Sequence, residues 1–288
     1  MSALVLDKPS PSITFPQPVA KYGAEDHAVW RHLFQRQAKL VADRACPDFL
    51  RGLKLLGLDD GGIPDFERLS DRLEAATGWR LACVEGFLPD ADFFHLLAAR
   101  RFPVTWWIRS WAKLDYLQEP DVFHDLFGHV PLLAQPVFAD YMQAFGEGGL
   151  KAERLGALHR LARLYWYSVE FGLIQTPDGP RIHGAGILSS KGESVFCLDA
   201  DAPNRVGFDL KRIMRTRYRI DTYQKTYFVI RDFEQLFEAT RPDFAPIYAA
   251  LEGQPDLAAG ALQPEDRIFH RGSLDPVAGG WQDETPDT

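Results

Sequence analysis

The chain has 288 residues, of which 46% are hydrophobic and 12% aromatic, so it can bury a sizeable core in one large or two small domains. Its formal net charge of -8 disfavours nucleic acid or an anionic membrane surface as a partner. No run of some eighteen apolar residues and no secretion-signal pattern is present, so we expect neither a membrane span nor a leader. The three cysteines (Cys46, Cys83 and Cys197) form no CxxC pattern, which predicts reduced thiols in a cytoplasmic protein.

The N-terminal half alternates between helical periodicity, short apolar runs and turn residues. Residues 1–20 contain four prolines and little periodicity, so we expect an extended strap or a disordered lead there. The predicted elements that follow are helices over about 24–45 and 49–56, a helix from Phe66 that stops at Gly78, a strand over 79–84, a helix capped by Asp90, and a buried strand over 104–108.

The C-terminal half is predicted to be mostly helical as well. The predicted elements are a helix opened by Pro136, a longest helix over about 151–175, a hairpin over 181–199 with its turn near 190–193, a strand over 223–230, and helices from Asp232 and Asp243. Proline, glycine and acidic residues dominate 253–288, which predicts a tail that wraps or dangles. The chain is therefore predicted to be a single domain over 21–252, mostly α with small β content (α+β).

Two histidines, His124 and His129, lie five residues apart in a short segment with a proline near each end. Pro120 suits a first helical turn, and Pro131 disfavours the α conformation for Val130, so we expect a short helix. Residues five apart on an α-helix diverge by roughly 140°. Both imidazoles can therefore meet one ion only if the helix loosens at its end, which Gly128 permits.

A metal site needs a third ligand, and four carboxylates are candidates: Asp121, Asp125, Asp140 and Glu170. Glu170 stands in an apolar and aromatic stretch, where burial of its charge would be costly unless a cation met it. Alternatively, Glu170 faces solvent or pairs with Arg163 or Lys151. The residues alone leave this choice open.

Two histidines and one carboxylate suit a non-haem Fe(II) oxygenase and equally a zinc hydrolase. The HExxH pattern of the zinc peptidases is absent, because the histidine spacing here is five and the neighbouring residue is Asp125. The short run Gly184-Ala185-Gly186 does not continue into GxGxxG, and no P-loop is present. Neither dinucleotide nor nucleoside triphosphate binding is indicated.

Three segments together carry a family resemblance: 120–133 around the histidine pair, 163–173 (RLYWYSVEFGL) and 184–193 (GAGILSSKGE). With them, the chain resembles the pterin-dependent aromatic amino acid hydroxylases, most closely the short bacterial members that act on phenylalanine. Segments 84–94 and 108–109 match more weakly, and the helix order agrees over about 22–240. The resemblance implies a single-domain helical basket around a mononuclear Fe(II), with tetrahydrobiopterin or a related tetrahydropterin as the second cofactor.

The resemblance also implies site residues, which we carry over by position in this sequence. The implied iron ligands are His124, His129 and Glu170, and Tyr165 matches a tyrosine close to the iron. The implied pterin contacts are Phe93, which stacks on the ring, and Gly86, Leu88 and Asp92 in the adjoining loop, with Asp125 where animal members have a glutamate. The implied substrate contacts are Arg109, which holds the carboxylate, and Ser189 and Trp166.

The function that the resemblance implies is hydroxylation of L-phenylalanine to L-tyrosine with O2 and a tetrahydropterin, feeding phenylalanine catabolism in a cytoplasmic monomer. Tryptophan or tyrosine as the preferred substrate is an alternative within the family. Outside it, the alternatives are a zinc-dependent hydrolase with the same two histidines and glutamate, and a non-enzymatic module that binds metal or pterin.

Overall fold

The computed structural model describes residues 13–115, 117 and 119–274. The predicted lead before residue 13 and the predicted tail after residue 274 lie outside these residues. The α-helices of the described residues are α1 (Ala24–Val41), α2 (Pro47–Leu56), α3 (Phe66–Thr77), α4 (Asp90–Ala98), α5 (Val130–Leu133), α6 (Pro136–Arg154), α7 (Leu158–Tyr165), α8 (Ala185–Leu188), α9 (Lys191–Asp199), α10 (Leu210–Met214), α11 (Phe233–Thr240) and α12 (Ala245–Leu251).

The strands of the described residues form two sheets. They are β1 (Arg80–Val84), β2 (Arg101–Thr105), β3 (Leu173–Thr176), β4 (Gly179–Ile182), β5 (Asn204–Gly207), β6 (Thr226–Ile230) and β7 (Ile268–His270). Strands β1 and β2 pair in parallel, and the other five have the order β4-β3-β6-β5-β7. The predicted fold class, mostly α with small β content, is confirmed.

The predicted longest helix over 151–175 is wrong. Helix α6 ends at Arg154, and the chain turns at Gly156, whose φ of +63° is a left-handed conformation that glycine adopts without strain. Helix α7 then covers Leu158–Tyr165, a π-helix continues it to Glu170, and the chain is extended from Leu173 in β3. The apolar residues of the stretch follow helical spacing on both sides of the break, which is why periodicity did not reveal it.

The predicted hairpin over 181–199 is also wrong. The hairpin lies one element earlier, between β3 and β4, and 185–199 form α8 and α9, the second opened by the Ser190 hydroxyl, which accepts from the Glu193 N–H. The strand predicted over 104–108 lies three residues earlier, as β2. Asp90 is the first residue of α4 rather than its cap, since Pro89 occupies the N-cap position. These segments are short, and short apolar runs do not separate helix from strand.

Helices α4 and α6 pack at close range through two glycines of α6. A Cβ at Gly146 would lie 2.4 Å from the backbone nitrogen of Ala98, and a Cβ at Gly149 would lie 2.0 Å from Cδ1 of Phe94. Helix α4 also carries Phe93, which is predicted to contact the pterin. The glycines of α6 therefore let α4, and Phe93 with it, lie close against α6.

We expect Gly149→Ala to destabilise the protein by about 1–3 kcal/mol, because the added methyl must displace the Phe94 ring from a filled core. The adjacent Gly148→Ala is the matched control, since its Cβ would meet no atom within 4 Å. That change should stabilise the helix by about 0.4–1 kcal/mol through the unfolded state. Urea denaturation of both variants checks the prediction, and equal effects of the same sign would contradict it.

Residues 252–274 return to the body of the protein. The Leu257 N–H donates to the carbonyl oxygen of Arg215, and β7 adds an edge strand to β5. Within the part of the chain that the structure describes, none of the helices combines the length and apolar character that a bilayer crossing requires.

Candidate metal centre

Both histidines of the pair lie on a π-helix, His124–His129, which we call π1. A π-helix bonds each residue to the one five positions on, and here the Val130 N–H donates to the carbonyl oxygen of Asp125. The wider turn brings residues five apart onto one face, whereas an α-helix would separate them. The π-helix therefore allows two histidines five residues apart to face the same point.

The predicted end of this helix at Val130 is wrong. Val130 keeps α-helical angles, φ −62° and ψ −34°, and the helix continues through Pro131 as α5. Proline is tolerated there because it falls in the first turn of α5, where a backbone N–H is not needed. Pro120, predicted to lie in a first helical turn, precedes the helix instead.

Glu170 is the last residue of a second π-helix, Trp166–Glu170, which we call π2. The positively charged partners that sequence reasoning had offered it are engaged elsewhere: Arg163 pairs with Asp256 and Lys151 with Asp243. The Glu170 side chain is only 13% exposed and turns toward the two histidines. The other candidate carboxylates do not join these three side chains as ligands.

The three side chains converge on one point. Nε2 of His129 lies 3.0 Å from Nε2 of His124 and 3.1 Å from Oε1 of Glu170, and the donor atoms of all three lie within 4.8 Å of one another. Metal bonds of about 2.0–2.2 Å that meet near a right angle place ligand atoms about 3 Å apart. The donor set therefore fits a single cation, with one face left for other ligands.

Electrostatics favour the metal-binding forms of His124 and Glu170, whereas His129 must release a proton that Glu170 favours. Burial lowers the pKa of His124 to about 4, so its imidazole is neutral at physiological pH. Burial alone would raise the pKa of Glu170, but the charge and the hydrogen bond of His129 outweigh it and hold this pKa below its usual range. Burial would lower the pKa of His129, but Glu170 outweighs it and raises that pKa. A neutral imidazole and an ionised carboxylate are the states that coordinate metal.

Ser189 lies behind His124. Its Oγ is 2.9 Å from Nδ1 of His124, and its own hydroxyl donates to the carbonyl oxygen of Ala185, also at 2.9 Å. The hydroxyl proton is thus used, and Ser189 accepts from the Nδ1–H of His124. This assigns the proton of His124 to Nδ1 and leaves Nε2 free to bind metal.

We expect Ser189→Ala to weaken metal binding by about 10-fold, because His124 loses the acceptor that fixes its tautomer and ring orientation. Fe(II) titration of the purified variant measures this. A rise in the substrate KM with unchanged metal affinity would instead support the predicted substrate contact. Ser110→Ala, on the loop after β2, is a matched control.

Arg109 follows β2 and is held by Asp121, whose side chain is fully buried. Its Nε and Nη2 donate to Oδ2 and Oδ1 of Asp121, both at 2.8 Å, and the Asp121 carboxylate also accepts the backbone N–H of His124. A guanidinium has five N–H groups. Three are used within the described residues, counting a 3.4 Å bond from Nη1 to the Leu114 carbonyl oxygen, so two can bind a substrate carboxylate.

On the other side of the metal centre lie Phe93 and Tyr165, with ring centroids 5.8 Å apart. The Tyr165 ring is in turn 6.4 Å from that of His129. The loop before α4 is open: a Cβ at Gly86 would meet nothing within 4 Å, and the N–H groups of residues 86–88 donate no hydrogen bond within the described residues. Free backbone donors beside an aromatic face fit a flat, polar heterocycle such as a pterin.

Asp125 and Trp166 lie on the two π-helices that carry the ligands. Asp125 is 6% exposed and accepts the Thr105 N–H at 2.7 Å, which ties π1 to β2. Burial raises its pKa to about 7. Trp166 opens π2, and its ring stacks on Tyr218 with centroids 4.4 Å apart.

Sequence reasoning missed two parts of this site. Asp121 was considered as a metal ligand. It lies three residues before His124 and accepts the His124 N–H, as a helix N-cap does, and this spacing could have identified it as a cap. The glycines of 184–186 let α8 approach Glu170, since a Cβ at Gly184 would lie 2.4 Å from the Glu170 carbonyl oxygen. No local pattern reveals such an approach.

Comparisons with known proteins point to one family. The sequence profile of the biopterin-dependent aromatic amino acid hydroxylases matches residues 13–247. The chain is 61% identical over 270 residues to a phenylalanine-4-hydroxylase of Chromobacterium violaceum, covering 94% of this chain and 90% of the relative. It is 60% identical over 273 residues to one from Ralstonia nicotianae, covering 95% and 86%.

Solved structures are similar as well. A C. violaceum phenylalanine hydroxylase with bound iron(III) and oxidised cofactor 7,8-dihydrobiopterin superposes with a TM-score of 0.87 at 61% identity, over 91% of this chain and 95% of that one. A structure of that enzyme with iron and phenylalanine bound has a TM-score of 0.87 at 60% identity, over 91% and 96%.

Proposed function

The chain belongs to the biopterin-dependent aromatic amino acid hydroxylases, and we propose that it is a phenylalanine 4-hydroxylase whose iron is held by His124, His129 and Glu170. It hydroxylates L-phenylalanine to L-tyrosine, with O2 and a tetrahydropterin as co-substrates. The observation that carries the assignment of the ligands is the convergence of three donor atoms from π1 and π2 within 4.8 Å.

When bound, Fe(II) and the tetrahydropterin together activate O2, with the pterin supplying two electrons. The chain supplies two neutral imidazoles and one carboxylate, a set that leaves coordination positions on one face. Ser189 accepts the Nδ1–H of His124, which fixes the tautomer whose free Nε2 can bind the metal. Tyr165 stays neutral beside this charge, because burial raises the pKa of its phenol well above the usual value.

Arg109 receives the amino acid carboxylate through its two unused N–H groups, and Asp121 holds the guanidinium plane during this contact. Trp166 lines the same pocket. Phe93 stacks on the pterin, and the N–H groups of residues 86–88 serve its polar edge, together with Asp92. Asp125 accepts the Thr105 N–H and so holds β2 against π1 beside the pterin site. The protein thus orients ring, pterin and iron, and its aromatic walls exclude water.

The test is direct. The purified protein is loaded with Fe(II), supplied with tetrahydrobiopterin, O2 and phenylalanine, and tyrosine is measured by fluorescence. We expect tyrosine formation that requires all four additions. A protein with full iron content that forms no tyrosine would overturn the proposal.

Assays with other substrates and with Zn²⁺ separate the alternatives. Tryptophan or tyrosine turned over faster than phenylalanine would change the substrate, and activity restored by Zn²⁺ alone on hydrolysable substrates would change the reaction class. The resemblance to iron- and pterin-bound phenylalanine hydroxylases disfavours both. Metal binding without turnover is the outcome that a non-enzymatic module predicts.

A cytoplasmic location is supported by the three cysteines, which are all buried, free thiols, as expected in a reducing compartment. The monomeric state stays a prediction, which light scattering of the purified protein tests. Fractionation of cells tests the location.

A further inference from the structure

Residues 13–23, which we call the N-terminal strap, contact the two-stranded sheet of β1 and β2. The Phe15 N–H donates to the carbonyl oxygen of Cys83 at 3.2 Å, on β1. The Gln17 side chain fixes the middle of the strap, since it donates to the Pro64 carbonyl and accepts the Phe66 N–H, both at 2.9 Å. The strap is therefore anchored before it reaches the site.

The end of the strap contacts Trp106, the residue after β2. The Tyr22 hydroxyl donates to the Trp106 carbonyl oxygen at 2.7 Å, and Nζ of Lys21 lies 4.5 Å from the centroid of the indole ring. Such a cation over an aromatic face is attractive. Burial raises the pKa of Tyr22 to about 12, so its hydroxyl stays a donor. The strap thus holds both the backbone and the ring of Trp106.

Trp106 in turn contacts the loop that begins where β1 ends. Its Nε1 donates to Oε2 of Glu85 at 2.9 Å, and Glu85 directly precedes the residues assigned to the pterin edge. One residue earlier, the Thr105 N–H donates to Asp125 in π1. Trp106 is therefore the point at which strap, loop and metal-bearing helix meet.

The loop over 85–89 has few contacts of its own. The N–H groups of residues 86–88 donate no hydrogen bond within the described residues, and the Phe87 side chain is 73% exposed. A segment with so few internal contacts takes its position from its ends. One end is the Glu85 side chain on Trp106, and the other is the Pro89 carbonyl, which accepts the Phe93 N–H at 3.0 Å.

We propose that the N-terminal strap positions the pterin-binding loop through Trp106, so that Tyr22, Lys21 and Trp106 set the affinity for pterin without touching it. They are positioning residues, because each acts through another group. The inference rests on the proposed function. It predicts that these residues change the affinity for pterin and leave the KM for phenylalanine unchanged.

The experiment compares Tyr22→Phe and Trp106→Phe with the wild type. Tyr22→Phe removes the hydrogen bond between the strap and Trp106, and Trp106→Phe removes the one between Trp106 and Glu85. Each change keeps an aromatic ring. The hydrogen bond of Tyr22 is neutral, whereas that of Trp106 ends on a carboxylate and is the stronger of the two. We therefore expect the Kd of 7,8-dihydrobiopterin for the iron-free protein, measured by titration calorimetry, to rise about 3-fold in Tyr22→Phe and about 10-fold in Trp106→Phe. The KM for tetrahydropterin should rise by the same factor, and the KM for phenylalanine should stay within about twofold.

The matched control is Tyr248→Phe on α12, whose hydroxyl is buried without a hydrogen-bond partner among the described residues. It should leave pterin affinity unchanged.

Three outcomes would overturn the inference. One is unchanged dihydropterin affinity in folded Tyr22→Phe and Trp106→Phe, with the wild type active. Another is a parallel rise in both KM values with a lower melting temperature, which would show general destabilisation. A wild type that neither binds dihydropterin nor forms tyrosine would refute the proposed function itself, and this inference with it.

Discussion

Glu170→Gln is expected to reduce turnover to below about 1% of the wild type and to weaken Fe(II) binding by well over about 10-fold. The reason is the loss of the only anionic ligand. The amide of glutamine keeps the shape of the side chain, but it removes the negative charge that faces His129 at 3.1 Å and can present an N–H₂ group to the cation. Iron content after dialysis against Fe(II) and tyrosine formation measure the two effects.

The control for this prediction is Glu153→Gln, an exposed glutamate at the end of α6. It should bind iron and turn over like the wild type. Near-ultraviolet circular dichroism verifies that Glu170→Gln is folded. A folded variant with stoichiometric iron and more than about a tenth of normal turnover would remove Glu170 from the ligand set.

Arg109→Lys is expected to raise the KM for phenylalanine by about 100-fold, with the KM for tetrahydropterin within about twofold. An ammonium group cannot form the two parallel hydrogen bonds that a guanidinium makes to a carboxylate, and such charged bonds contribute about 1.5–3 kcal/mol each. Lysine is chosen over alanine because Asp121 is fully buried. Removal of the positive charge would leave it unpaired, at a cost of about 3–5 kcal/mol that would obscure the binding effect.

Arg101→Lys, at the exposed start of β2, is the matched control and should leave both KM values unchanged. A second comparison uses 2-phenylethylamine, which lacks the carboxylate. Wild type and Arg109→Lys should differ little on it, because the lost contact is already absent. A flat KM for phenylalanine in the variant would show that another group binds the carboxylate.

Much of the helical architecture could be predicted from local patterns. Helix α3 ends at Gly78, which has a φ of +77°, and α11 begins after Asp232, whose side chain accepts the Gln235 N–H. Both signals act within a few residues, so the sequence contains them entirely. The errors over 151–175 and 181–199 arose where the same periodicity or the same short apolar run suits more than one structure.

The site was predictable in its residue types and less so in its geometry. The histidine pair and the three family segments were sufficient to identify the ligands by resemblance. The residues alone left Glu170 as one of four carboxylates, because His129 and Glu170 are separated along the chain by α5, α6 and α7. Nothing local to either residue reveals that they meet.

The sequence by itself determined the broad fold class, the family and most helix ends, because these depend on periodicity, capping residues and contiguous motifs. Only the tertiary structure decided that two π-helices present the ligands, that Asp121 holds Arg109, and that the strap reaches Trp106. Each of these joins segments distant in the chain, and whether such segments meet depends on how the whole core packs.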